Sequence, residues 1–243
     1  MTFYMIEKHS PDYKVTWGIK DIIHIEETPY QKLAIIDTYE FGRALVLDNA
    51  LQTTLSDQFY YHEMIAHVPL FTHPNPRHVL IIGGGDGGTA LEVLKHKNVE
   101  KIDLVEIDEK VIKACIKYLP ELSCSFSDPR VNVIIGDGVN YVRENNNKYD
   151  VIIIDSTDPE PDGPAYKLYS SEFYKDVYKC LTDDGLFVTH TNSPSFSFGR
   201  KAFKEIYHRI SAYFPLTKAY IVCVPSYISG YWSFTIGSKR YDP

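Results

Sequence analysis

"HVLIIGGGDGG", residues 78–88, decides the fold. A short apolar run enters a glycine turn, and "TALEVLKHK" (89–97) follows at helical spacing, so the stretch reads as strand, turn, helix. The unit recurs. "KIDLVEID" (101–108) precedes the helical "KVIKACIKYL" (110–119), and "VNVIIGDG" (131–138) precedes "VNYVREN" (139–145). "YDVIIIDS" (149–156) precedes "SSEFYKDVYKCL" (170–181), and "GLFVTHT" (185–191) precedes "GRKAFKEIYHRISAYF" (199–214). "KAYIVCVP" (218–225) and "YWSFTIGS" (231–238) end the series as a hairpin expected at one edge. Continuous apolar strands, each followed by an amphipathic helix, imply a parallel sheet covered on both faces. The expected fold is α/β, a Rossmann-like doubly wound sheet.

Upstream the texture changes. "TWGIKDIIHIEET" (16–28), "QKLAIIDTYE" (31–40) and "RALVLDNALQTTL" (43–55) are β-rich and separated by turn signals, with no helical period between them. They predict a small antiparallel β domain over 1–56, ahead of a Rossmann-like catalytic domain over 57–243. "DQFYYHEMIAHVPLF" (57–71) reads as a helix reaching Pro69, with Ser56 or Asp57 as its cap. "THPNPRH" (72–78) reads as a proline-rich hinge.

Length and composition set bounds. The chain has 243 residues, 44% of them hydrophobic, and a formal charge of −7. That suffices for a large core, and the acidic balance disfavours nucleic acid. Cys115, Cys124, Cys180 and Cys223 form no C-x-x-C pair, so neither zinc nor a disulfide framework is expected. The N-terminus lacks a signal-peptide core and no apolar run reaches the ~20 residues of a membrane helix. A cytoplasmic protein without membrane association is expected.

Ligands of open α/β sheets bind beyond the carboxyl ends of the strands. At those ends stand Asp86, Glu106, Asp137, Asp155 and Asp158. Gly83, Gly85 and Gly88 match G-x-G-x-x-G, and Glu106 stands where a ribose-binding acid belongs. A pyrophosphate would meet Asp86 and the other acids with like charge. A nucleoside with a cationic tail, such as an S-adenosyl sulfonium, fits better. Glu106 can accept both ribose hydroxyls, Asp137 can accept from the adenine amino group, and Asp86 is left for a positive group on the other arm. A methionine carboxylate would be repelled there, whereas an aminopropyl ammonium would be welcomed.

These residues resemble the polyamine aminopropyltransferase (spermidine synthase) family. The resemblance rests on "YHEMIAHVPLFTHPNP" (61–76), "VLIIGGGDGG" (79–88), "VEID" (105–108), "GDGVNYV" (136–142), "YDVIIIDSTDP" (149–159) and "GPA" (163–165). The spaced residues of "PSYISGYWSFTIGSK" (225–239) complete it. It implies a class I methyltransferase-type sheet. It also implies transfer of the aminopropyl group of decarboxylated S-adenosylmethionine to a diamine, putrescine or a related acceptor, with release of 5'-methylthioadenosine. Gln31, Gly83, Gly85, Asp86, Glu106, Asp137, Gly138 and Pro164 would hold the donor. Asp155 would be the catalytic base. Tyr61, His62, Asp86, Asp155, Ser156, Thr157, Asp158 and Tyr227 would hold the acceptor and the aminopropyl arm. No metal and no further cofactor is expected, and the N-terminal sheet would support a homodimer or homotetramer.

The family's pattern is broken in three places. Glu160-Pro161-Asp162 stands where one residue is usual, His190 and Asn192 replace a glutamine and an acid, and Ile228 replaces a proline. These positions surround the acceptor, so a shifted diamine preference is expected, toward a longer diamine or agmatine. Two rival readings remain at this point: an S-adenosylmethionine-dependent small-molecule methyltransferase, and a nucleoside-binding homologue without catalysis.

Overall fold

A five-stranded antiparallel sheet opens the chain, with β1 Phe3–Lys8, β2 Lys14–Glu27, β3 Lys32–Thr38, β4 Gly42–Leu47 and β5 Ala50–Thr54 in sequence order. The computed structural model describes residues 3–160 and 163–243, so Pro161 and Asp162 of the acidic insert lie outside the described residues. Helix α1, Gln58–Thr72, leads to the second sheet. Its strands are β6 His78–Gly83, β7 Lys101–Glu106, β8 Val131–Ile135, β9 Tyr149–Asp155, β10 Leu181–His190, β11 Leu216–Cys223 and β12 Tyr231–Ser238. The helices between them are α2 Gly88–Val93, α3 Glu109–Tyr118, α4 Pro120–Ser123, α5 Gly138–Glu144, α6 Ser171–Cys180 and α7 Ser197–Ser211. The sheet order is β11-β12-β10-β9-β6-β7-β8. β12 runs antiparallel between β10 and β11, so the last strand of the hairpin lies inside and β11 forms the edge.

Alternation along the parallel strands sorts the core onto two faces. Val79, Ile81, Val151 and Ile153 pack with Ile65 and Leu70 of α1 and with Phe234. Leu80, Ile82, Ile152 and Ile154 pack with Phe173, Tyr174 and Ile206 on the other side. A third cluster joins the two sheets: Leu33, Ile35, Leu45 and Leu47 bury against Val111, Ala114, Cys115 and Leu119 at and beyond α3. This contact brings the small sheet to the carboxyl ends of the parallel strands.

The sequence reading needs four corrections. Residues 3–8, left unassigned, pair with β2, which is one strand of 14 residues. Helix α1 does not stop at Pro69, because helical bonding resumes past it and His73 N–H donates to Pro69 O at 3.1 Å. Helix α2 ends at Val93, where Lys95 and His96 make tighter i→i−3 bonds. Asp57 occupies the N-cap position of α1 but its carboxylate does not cap the helix. Oδ2 accepts Ser226 N–H at 2.7 Å, and Oδ1 accepts the Ser226 hydroxyl at 3.0 Å and the Thr54 hydroxyl at 2.6 Å. Two donors from distant Ser226 and one from neighbouring Thr54 outcompete the helix's own N–H groups.

Asp57 therefore fixes the loop after β11 to the start of α1, and it is buried. Replacing it strands three donors, each costing about 1–3 kcal/mol when left unpaired. Asp57→Ala is expected to lose about 3 kcal/mol in urea unfolding at fixed protein concentration. Asp57→Asn, which keeps one acceptor oxygen, is expected to lose less. Equal stability of both variants and the parent would contradict the role.

Candidate active site

Where β6 ends beside β9, the glycine turn and the Asp155 backbone touch. Gly84 N–H donates to Asp155 O at 2.8 Å. Gly83 has φ 84°, and a Cβ there would overlap that same carbonyl. Glycine is required twice over, for its left-handed backbone and for the close approach. This explains the turn without any phosphate. Asp86, mid-turn, accepts Gly88 N–H on Oδ1 at 2.8 Å, which leaves Oδ2 facing inward.

Both oxygens of Asp155 accept hydroxyl donors, Tyr61 on Oδ1 at 2.9 Å and Thr89 on Oδ2 at 2.6 Å. Burial and the nearby charge of Asp86 raise the Asp155 carboxyl above the usual range, and the two hydroxyls and His62 pull against them. His62 lies against Gly88, where a Cβ would overlap the ring. Its Nδ1 is 2.6 Å from Gln58 Oε1 and its Nε2 is 3.4 Å from Asp86 Oδ2. Burial opposes charge on both members of that pair. Their mutual attraction prevails, so His62 is raised and Asp86 lowered from their ordinary values. His62, Asp86 and Asp155 each offer a ligand atom within 4.8 Å of the others. Hydrogen bonds to Gln58, Gly88, Tyr61 and Thr89 account for that convergence without an ion.

A cavity of about 130 Å³ opens over these groups. Gln31, Gly83, Gly85, Asp86, Glu106, Asp137, Gly138, Asp155, Ser156, Thr157, Pro164, Tyr61, His62 and Tyr227 all line it. Glu106 accepts Asp108 N–H at 2.9 Å, and Asp108 in turn accepts the Gln31 amide at 3.1 Å, so the small sheet is tied to the end of β7. Burial pushes the Glu106 carboxyl up to about 7. Asp137 caps α5 by accepting Val139 N–H at 2.8 Å.

A second, wider cavity of about 570 Å³ adjoins the first. Asp158 lines this one rather than the first, with Glu160, His190, Asn192, Ile228, Trp232 and Glu7. Gln31, Tyr61, Ser156, Thr157, Pro164 and Tyr227 line both. The Asp158 carboxyl is raised by burial and by the charge of Glu160. His190 Nε2 donates to Ser156 O at 2.7 Å. That leaves His190 Nδ1 bare, 3.8 Å from Asp158 Oδ1, and neither atom has a partner among the described residues. Tyr227 is held by its hydroxyl, which donates to Gln52 O at 2.6 Å.

The site is thus a two-lobed cavity with carboxyl groups in both lobes and a doubly hydrogen-bonded aspartate beside the junction. It suits cations. The structure brings all the residues expected from the sequence to these two lobes. It adds Thr89, Gln58 and Glu7, which the sequence reading missed. Gln58 stands four residues before His62, a same-face spacing on a helix that could have been noticed. Thr89 follows the glycine turn directly. Glu7 lies on β1, where no strand was expected, and its carboxyl accepts Trp17 Nε1–H at 2.8 Å.

Comparison with known proteins agrees with this geometry. A family model described as the spermine/spermidine synthase domain matches residues 58–242, and one described as the spermidine synthase tetramerisation domain matches residues 3–54. The polyamine aminopropyltransferase of Caldicellulosiruptor saccharolyticus is 53% identical over 243 residues, 100% of this chain and 86% of the relative. That of Methanocaldococcus jannaschii is 50% identical over 245 residues, 99% of this chain and 81% of the relative. A spermidine synthase in complex with the transition-state analogue AdoDATO superposes with TM-score 0.95 at 44% identity, covering 99% of this chain and 82% of that one. The spermidine synthase of Thermotoga maritima gives 0.92 at 42% identity, covering 99% and 80%.

The Thr89 hydroxyl stabilises the ionised form of Asp155, so its removal has a defined sign. Thr89→Val keeps the shape and deletes the donor, which raises the Asp155 pKa. The acid limb of the pH–rate profile is expected to move to higher pH in Thr89→Val and to return in Thr89→Ser. An unmoved limb would show that the Asp155 carboxyl does not set it.

Proposed function

The chain belongs to the spermine/spermidine synthase family, and on that premise we propose that the narrower lobe takes decarboxylated S-adenosylmethionine and the wider lobe an amine acceptor. The protein is an aminopropyltransferase. The observation that carries the reading is Asp155, a buried-edge carboxylate fixed by two hydroxyls beside the place where the lobes meet. Glu106 would accept the ribose hydroxyls, and Asp137, Gly138, Gln31 and Pro164 would enclose the adenosine. Gly83 and Gly85 let the turn approach it. Asp86 would receive the ammonium of the aminopropyl arm.

The reaction is an in-line displacement. The lone pair of the acceptor nitrogen forms a bond to the methylene beside the sulfonium. The carbon–sulfur bond breaks, its electrons stay on sulfur, and neutral 5'-methylthioadenosine leaves. Positioning two cations together is the larger share of the task, and effective concentration can be worth about 7 kcal/mol or more. The attacking nitrogen must shed a proton, and Asp155 would take it. An ordinary carboxylate at ~3.9 faces an ammonium at ~10.4, a gap of roughly 9 kcal/mol. The raised Asp155 narrows that gap, and the sulfonium charge lowers the amine's own pKa.

Asp158, with Tyr61, His62, Ser156, Thr157 and Tyr227, would hold the acceptor. Glu160 adds a charge beside Asp158, and His190 and Asn192 change the far wall. These differences favour a longer diamine or agmatine over putrescine. The same sheet serves methyl transfer elsewhere, but Asp86 opposes a methionine carboxylate. We further propose a division of the chain at residues 56 and 57, a cytoplasmic location and a homodimer or homotetramer built through the N-terminal sheet. Phe3, Tyr4, Ile22 and Ile25 of that sheet are exposed apolar residues suited to such contact. No described helix is long and apolar enough to cross a membrane.

Methylthioadenosine release from the decarboxylated donor is expected with a diamine and absent without one. Rates for putrescine, cadaverine, agmatine and spermidine are expected to place putrescine below one of the longer acceptors, and clear dominance of putrescine would refute the shift. Asp155→Asn is expected to cut turnover on the order of 10²–10⁴-fold while methylthioadenosine still binds. Near-normal turnover would remove Asp155 from the mechanism.

A further inference from the structure

Asp86 already faces an imidazole before any donor arrives. Its Oδ1 is taken by Gly88 N–H, so Oδ2 is the oxygen left for a ligand, and His62 Nε2 stands 3.4 Å from it. The amide oxygen of Gln58 can only accept, so His62 Nδ1 carries a hydrogen. The state of Nε2 is then the one variable. Bare, it would turn a lone pair toward a carboxylate oxygen at a place where His62 is 2% exposed and no solvent relieves the repulsion. Protonated, it completes an imidazolium–carboxylate pair.

Resting on the reading that Asp86 receives the aminopropyl ammonium, we propose that His62 is protonated in the free enzyme and gives up that proton when the donor binds. Binding is then an exchange of one cation for another at Asp86. The incoming ammonium at Oδ2 would stand within a few ångströms of the imidazolium, in a site too dry to screen two positive charges. Loss of the proton removes the repulsion and turns Nε2 into a second acceptor. Asp86 Oδ2 and His62 Nε2 then cradle the ammonium between them. Gln58 is the positioning residue, because its hold on Nδ1 keeps the bare nitrogen on the ligand's side. The proton goes to solvent, so the balance is enzyme-bound H⁺ plus donor to complex plus free H⁺.

The charged and titratable groups facing His62 agree with this state. Asp86 from the turn, Asp155 from β9 and Glu92 from α2 all favour the imidazolium, and burial alone opposes it. Tyr61 meets the ring edge-on and is held far above its ordinary pKa by burial and by Asp155, so it stays neutral. The exchange has a sign. Donor affinity rises about tenfold per pH unit below the free-enzyme pKa of His62 and levels off above it. Methylthioadenosine has no ammonium arm, so its binding leaves the His62 proton in place.

Calorimetry of the decarboxylated donor in buffers of different ionisation enthalpy counts the protons released. The parent enzyme is expected to release close to one proton more per donor than His62→Gln at a pH below the His62 midpoint. Methylthioadenosine is expected to show no such difference between the two. The ring-nitrogen NMR shifts of His62 in the parent are expected to pass from imidazolium to neutral imidazole on donor addition, a readout that stands even if the variant does not fold. Equal proton release by parent and variant, or a ring still protonated in the complex, would overturn the exchange. Methylthioadenosine binding without any donor binding would instead overturn the donor reading beneath it.

Discussion

The backbone of β9 presses so closely on the end of β6 that residue 83 has no room for a side chain. The Asp86 and Asp155 carboxylates are placed by that contact. The Asp155 carbonyl is held by Gly84 N–H, so the Asp155 carboxylate emerges at the switch between the two halves of the sheet. The same turn swings Asp86 to face it, and β7, next in order, adds Glu106 from the other side. A glycine-rich turn is ordinarily the seat of an anion. Here the backbone geometry is retained and its electrostatics are reversed by acids from three neighbouring segments.

Gathering carboxylates in a half-dry cleft is unfavourable, and the structure shows how the repulsion is contained. Tyr61 and Thr89 cover both oxygens of Asp155, Gly88 N–H covers one of Asp86, and Asp108 N–H covers one of Glu106. One imidazole, that of His62, stands 3.4 Å from the remaining oxygen of Asp86. The rest appears as carboxyl groups displaced upward from their ordinary range, Glu106 to about 7 among them. Such a site is least stable when empty. A cationic ligand relieves the repulsion, so binding strengthens the fold as well as filling the cavity.

The architecture was largely legible because its signals are local. Apolar strand, turn and amphipathic helix repeat along residues 78–214, and the sheet they imply is the sheet observed. Acids at strand ends were legible for the same reason, since position on a strand fixes position on the rim. Contacts between distant segments were not. Asp57 looks like a helix cap until Ser226, 169 residues away, is seen to claim it. Glu7 sits in a segment whose charged, mixed composition shows no period, and only pairing with β2 makes it a strand. Thr89 and Gln58 act on Asp155 and His62 through hydroxyl and amide groups that carry no charge pattern to notice.

The wider lobe marks the limit of reading a substrate from residue types. His190 could donate or accept through either nitrogen, and the sequence is silent on which. The Ser156 carbonyl decides it, because a carbonyl only accepts and therefore fixes hydrogen on Nε2. Nδ1 is left as an acceptor facing Asp158 Oδ1, with Glu160 nearby adding negative charge. Two acceptors 3.8 Å apart without a donor between them are mismatched in the empty protein. A group rich in N–H corrects the mismatch, and a hydroxyl or carbonyl group does so less well. The far end of the wider lobe is thus matched to nitrogen by the direction of its lone pairs as well as by charge.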